Sequence, residues 1–330
     1  MRTALLSLAV VSLCVITAPA FAQQTPLEAK EKSVIRYEVN MDKIVNSDLG
    51  KRLDLADKMQ NLPSAVDSED MGPSKIKRVF GSVSLPDNLE AFGDLATGGQ
   101  LPMDTFSRIE FSDSAALDGM VKKMAEAADE VTIGGKKFMK PNDGQSPEGM
   151  LTHKIDATTM EMGTEKYLTR ADREVNTDGL NKAWSMAPEH AIRIVVDVDG
   201  MPELKEEIIE NVAQMSPQFA DYADLLDNIS NLRITVDLDS DQLLTICATG
   251  KDEELAEDFA DGVDSLLLLA KFGLNPANAP NEEAADVMQS ISNALKTKID
   301  GKEVSVIIPR PEGFNDFIES TVAAMGGGGF

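Results

Sequence analysis

The segment Ile35-Arg-Tyr-Glu-Val-Asn-Met-Asp-Lys-Ile44 returns later in the chain as Ile192-Arg-Ile-Val-Val-Asp-Val-Asp-Gly-Met201, with Ile, Arg, Val and Asp at matching places. Both segments alternate with the two-residue period of a strand. Ile35, Tyr37, Val39 and Met41 share one face, as do Ile192, Ile194, Val196 and Val198. Arg36, Glu38, Asn40 and Asp42 point the other way, the pattern of a sheet with one apolar and one solvated face.

Outward from each segment the elements recur in order. Ser47 is placed to cap a helix carrying Leu49, Leu53 and Ala56, and Pro202 opens one carrying Leu204, Ile208, Val212 and Met215. Second strands read at 76–85 and 229–238, and a third strand in each half leads into an amphipathic helix. That helix bears Leu117, Met120, Val121, Met124 and Ala128 in the first half, and Leu255, Phe259, Val263, Leu266 and Leu267 in the second. Thr132-Ile-Gly-Gly-Lys-Lys-Phe138 and Lys298-Ile-Asp-Gly-Lys-Glu-Val304 then read as matching glycine turns that open hairpins. The first half adds a hairpin of 150–155 with 158–162 and helices holding Tyr167, Leu180 and Trp184. The second adds a helix with Val287, Met288, Ile291 and Leu295.

This order predicts an α+β protein of two similar β-α-β-β-α-β lobes formed by tandem duplication, with antiparallel or mixed sheets covered by helices on one face. The expected divisions are a signal peptide at 1–22, an N-terminal lobe at 23–186, a C-terminal lobe at 187–325 and a glycine-rich flexible tail at 326–330. Ala187-Pro188 marks the boundary between lobes.

Arg2, the apolar run from Ala4 to Ala18 and Ala20-Phe21-Ala22 have the form of a cleaved export signal, with cleavage after Ala22. Leu13-Cys14 is not a lipid-attachment site, because a bulky leucine precedes the cysteine and the apolar run continues past it. The apolar run is shorter than the roughly 20 residues of a membrane span. The expectation is an exported protein, periplasmic or extracellular, with no membrane insertion after cleavage. Cys247 is then the only cysteine left, which excludes an intramolecular disulfide.

The formal charge is −25, and loss of Arg2 with the leader makes it one unit more negative. Nucleic acid is excluded as a partner, since the densest basic groups are Lys75-Ile-Lys-Arg78 and Lys136-Lys137, each a short strand end or turn. The alternating acids of Asp237-Leu-Asp-Ser-Asp241 suggest Ca²⁺ ligands, but the sixth and twelfth places of an EF-hand frame hold Gln242 and Ala248. Those acids, with Asp197 and Asp199, read as strand ends pointing to water and balanced by Arg193 and Arg233 in a cross-strand charge lattice. Asp67-Ser-Glu-Asp70 reads as a loop.

His153 and His190 are the only histidines, and neither has metal-ligand or triad spacing. Thr97-Gly-Gly and Gly134-Gly-Lys lack the frame of a phosphate loop. Cys247 reads as a small space-filling residue in a strand. Met120, Met124, Met186, Met201 and Met215 read as core filling.

Met160-Glu-Met-Gly-Thr-Glu-Lys-Tyr-Leu168, closing the first lobe, and Leu232-Arg-Ile-Thr-Val-Asp-Leu-Asp239 in the second resemble exported bacterial two-lobed α+β proteins of planctomycete type. The resemblance spans most of the chain, implies the two-lobed architecture and brings no catalytic residue with it. The expected function is non-enzymatic binding of a protein or small molecule, or a structural role in the cell envelope. The binding surface would be the groove between lobes or the polar sheet faces. No catalytic, cofactor-binding or metal-ligating residue is assigned, and no cofactor is expected. The alternatives are a carboxylate-dependent hydrolase and a Ca²⁺-binding acidic surface protein.

Overall fold

The computed structural model describes residues 32–56, 75–85, 104–142, 150–169, 176–215, 225–274, 276–279 and 281–326. The segments expected to be an export signal (1–22), a loop (Asp67–Asp70) and a turn (Thr97-Gly-Gly), with residues 327–330 of the expected tail, lie outside them. The N-terminal half runs β1 (Ile35–Asn40), α1 (Met41–Asn46), α2 (Asp48–Arg52), β2 (Ile76–Ser84), β3 (Asp104–Phe111), α3 (Ser114–Met124), β4 (Ala128–Ile133), β5 (Lys136–Pro141), β6 (Met150–Lys154), β7 (Thr159–Thr164), α4 (Glu165–Thr169) and α5 (Asp178–Met186). The C-terminal half continues with β8 (Ile192–Asp197), α6 (Pro202–Met215), α7 (Leu225–Asn228), β9 (Ile229–Val236), β10 (Gln242–Gly250), α8 (Glu253–Gly273), α9 (Glu282–Ala294), β11 (Thr297–Asp300), β12 (Glu303–Pro309) and α10 (Phe314–Gly326).

All the described strands join one antiparallel sheet in the order β11-β12-β10-β9-β8-β1-β2-β3-β7-β6-β5-β4. The sheet is continuous across the expected boundary at 186/187, because β1 pairs with β2 on one side and β8 on the other. Met41 does not extend the first strand. The Asn40 side chain accepts a hydrogen bond from the Lys43 N–H and caps α1 there instead. The two glycine turns also take unlike positions. β12 lies directly against β10, whereas β5 is separated from β3 by β7 and β6.

Opposed residues in an antiparallel pair share a face, so the registers sort the side chains. One face collects Tyr37, Val79, Val83, Ile109 and Met160, with Ala116 and Leu117 of α3 packed over them. In the C-terminal half the same face carries Leu232, Ile246, Ala248, Val304 and Val306 beneath α8. Gly81 lies under the Tyr37 ring, and a Cβ there would come within 2.7 Å of the Tyr37 hydroxyl. Burial raises the Tyr37 pKa, against the lowering effect of its hydrogen bond with Ser107.

The opposite face was expected to be solvated and bare, and in the structure it is neither. Glu38, Arg193, Arg233 and Thr235 are only 3–6% exposed. Helices therefore cover both faces. α5 sets Leu180 and Ala183 against Val195, with the Trp184 ring 3.6 Å from the Arg193 guanidinium carbon. α4 stacks Tyr167 on Phe106 at 5.3 Å and packs Leu168 beside Leu151. The physical reason is that Phe106, Leu151 and Val195 project from the polar face and need apolar cover.

Beneath that cover the charges pair across strands. Glu38 accepts from Arg193 on β8 and lies 2.5 Å from Arg78 Nε on β2, and Glu161 lies 2.6 Å from Arg108. Removing one partner of a buried pair leaves an uncompensated charge and costs about 3–5 kcal/mol. Glu38→Ala should therefore lower unfolding free energy in urea by that order, and a loss below about 1 kcal/mol would contradict the arrangement.

Candidate functional site

The acids singled out from the sequence are split between opposite ends of the sheet, because β8 and β9 run antiparallel: Asp237 and Asp239 lie beyond the start of β8, Asp197 and Asp199 beside the start of β9. Asp237 pairs with His190 Nδ1 at 2.9 Å, and Asp239 accepts from the Asp48 backbone N–H at 3.1 Å. Asp199 lies 3.7 Å from Lys251 Nζ. Asp197 does not point to water, being 4% exposed and hydrogen-bonded by the Thr177 hydroxyl, the cap of α5. Among the described residues no three His, Cys, Asp or Glu side chains are grouped so as to hold a metal ion.

The charge lattice exists with other partners. Arg193 turns to Glu38 and Arg233 to Glu303, not to the strand-end acids. The basic groups are divided in the same way. Lys137 pairs with Glu130 at 2.8 Å, Lys75 lies 3.9 Å from Asp113, and the part-exposed Arg78 reaches the buried Glu38. His153 Nδ1 lies 2.8 Å from the Lys137 carbonyl, with its ring against Phe138. Glu38, Glu161 and Glu303 are thus each engaged by a guanidinium group, which leaves these three poorly placed for acid–base work on a substrate.

Cys247 sits half-buried in this lattice, its Sγ 3.0 Å from Arg233 Nη2 and 3.1 Å from Glu303 Oε2. Burial raises its pKa above the ordinary value of 9.0, and the Arg233 charge opposes the shift only in part. The thiol is the form this environment favours, so the group is a poor nucleophile near neutral pH. Of the methionines, Met120 and Met124 pack against the apolar cluster under α3 and Met201 against the one around Val198. Met186 departs from the expected core role, with 43% exposure.

Among the described residues a feature with room for a ligand lies on the apolar face. Leu232, Ile246, Ala248, Val304 and Val306 of three neighbouring strands form the floor, and Phe259, Val263 and Leu267 of α8 form the roof of a cavity of about 160 Å³. The roof residues recur every four positions, so they make one stripe along the helix. Small residues hold the start of α8 close to the sheet. Ala256 and Ala260 are buried, and a Cβ on Gly250 would lie 2.7 Å from the Ala256 Cβ. Beyond this close contact Ala248 leaves the floor short under the larger roof side chains. The sequence marked Phe259, Val263 and Leu267 as a core-facing stripe. Nothing in it marked the space beneath, which depends on which strand residues oppose them.

No family model matches the chain, and no curated protein matches it. Solved structures that are similar include crystal forms I, III and IV of TP0453, a Treponema protein, with TM-scores of 0.39, 0.40 and 0.39 and identities of 10, 11 and 9%. They cover 92, 91 and 91% of this chain and 98, 100 and 97% of that one. Among the described residues no helix is long and apolar enough to cross a membrane.

A raised thiol pKa gives stability that is complete below the unfolded pKa and is lost as pH rises through the folded one. Between pH 8 and 10 the protein should therefore lose more stability than Cys247→Ala does. Iodoacetamide should label native Cys247 at least about tenfold more slowly than the urea-unfolded chain at pH 8. Equal labelling rates would show that the thiol is not held as described.

Proposed function

We propose that the chain is an exported, non-enzymatic binding protein and that the cavity beneath α8 holds its ligand. The observation that carries this reading is the apolar volume between α8 and the sheet, lined among the described residues by eight aliphatic or aromatic side chains. Pockets of this character bind by burying apolar surface. Export rests on the leader-like sequence at 1–22, and the acidic composition keeps such a protein soluble.

Tandem duplication is part of the same proposal, and the junction supports it. Tyr37 and Ile194, matched in the repeated segments, stand opposite each other, with Ile35 facing Val196 and Val39 facing Ile192. Exchanging the two halves maps this pairing onto itself. Outward from the junction, β2-β3-β7-β6 on one side has the same arrangement as β9-β10-β12-β11 on the other. On this reading β6–β7 corresponds to β11–β12, and β4–β5 is the added hairpin.

The melting temperature of residues 23–330 across a small-molecule panel tests the binding role. A ligand at 100 times its dissociation constant adds about 2.7 kcal/mol and raises the transition by a few degrees. A saturable shift with Ca²⁺, lost in Asp237→Ala, would contradict the cavity as the site. The β1–β8 pairing predicts that 23–186 and 187–325, expressed as separate chains, reassemble through these two strands. Two chains that each stay folded and apart would show that this pairing does not hold the halves together.

A further inference from the structure

We infer that the ligand is a neutral, hydrogen-bond-free apolar group about the size of one aromatic ring, and that Ala248 and Val263 set its size limit. This rests on the reading of the cavity as the ligand site. Volume supplies the first argument. An enclosed apolar cavity of about 150 Å³ takes benzene or xenon, and this one, partly open to solvent at its mouth, measures about 160 Å³. Typical drug-sized pockets begin near 300 Å³, so a fused two-ring molecule is too large without movement of the walls.

Chemistry supplies the second argument. Among the described residues the lining side chains are Leu232, Ile246, Ala248, Phe259, Val263, Leu267, Val304 and Val306, and none of these offers a hydrogen-bond donor or acceptor. The strand backbone beneath them is engaged in the ladders of β9, β10 and β12. A hydroxyl or charged group on the ligand would enter without a partner and lose its hydration. The cavity therefore selects against polarity.

Position supplies the third. Ala248 is the smallest side chain of the floor and is buried, so any added carbon there enters the cavity. Val263 is the shortest side chain of the roof stripe, between Phe259 and Leu267. Where the helix passes Leu267, its neighbours Leu266 and Leu268 are 37% and 61% exposed. An apolar molecule thus meets a greasy outer surface on the helix that roofs the cavity.

The test is calorimetric titration of residues 23–330 with toluene, phenol and naphthalene, using wild type, Ala248→Leu, Val263→Phe and Val263→Ala, with the fold of each checked by circular dichroism. Toluene should bind wild type saturably and phenol at least about tenfold more weakly. Naphthalene should bind only to Val263→Ala. Either filling variant that folds should lose toluene. Phenol binding as tightly as toluene, or naphthalene binding wild type equally well, would overturn the ligand class while leaving the cavity as the site. Failure of all three probes on folded wild type would remove the binding role as well.

Discussion

The shared Glu38 carboxylate is the constraint on which the centre of the molecule turns. It stands on β1, the strand that joins the two halves of the sheet, and it is reached from β2 by Arg78 and from β8 by Arg193. A one-residue slip on either side would move an arginine to the apolar face and leave the buried carboxylate short of a partner. The same arginine fixes what lies above. Arg193 donates to the Ala187 carbonyl at the end of α5 and receives the Trp184 ring, which also lies 4.3 Å from the Arg36 guanidinium carbon. Register, helix position and aromatic cover are thus set by one charge cluster.

With the polar face covered over its own charges, the apolar face holds the larger of the unfilled volumes among the described residues. Its N-terminal half is filled by α3, whose Leu117 is fully buried, along with Tyr37 and Met160. Its C-terminal half is covered by the longer α8, held at close range through Ala256 and Gly250. Helices and sheets do not conform to each other along 21 residues, so close contact at one end leaves space where the opposing side chains are short. The exposed leucines beyond that point mark a helix that changes along its length. Glu253, Glu254, Glu257 and Asp258 line its start, and an apolar run fills its end.

Much of this architecture was legible because alternation and helical stripes depend only on local geometry. The strands around Tyr37, Ile194 and Ile234, the Ser47 and Pro202 helix starts, and the hairpin turning at Asp156 all follow from such patterns. The burial of the second face was not legible. Arg and Glu alternating along a strand give the same signal whether water or Trp184 lies above them, and Trp184 is far from Glu38 in sequence. The partner choice of Arg193, the inward turn of Asp197 and the setting of Cys247 were hidden for the same reason. The cavity is harder still, since it is a difference between opposing side-chain lengths across elements paired only in space.

The most direct measurement is a crystal of residues 23–330 pressurised with xenon, read by anomalous scattering. The account predicts a single strong xenon site bounded by Ala248, Phe259, Val263 and Leu267, with no ordered water there in the untreated crystal. Ordered water hydrogen-bonded within that volume, or side chains closed over it with no xenon, would contradict the cavity as a dry binding site.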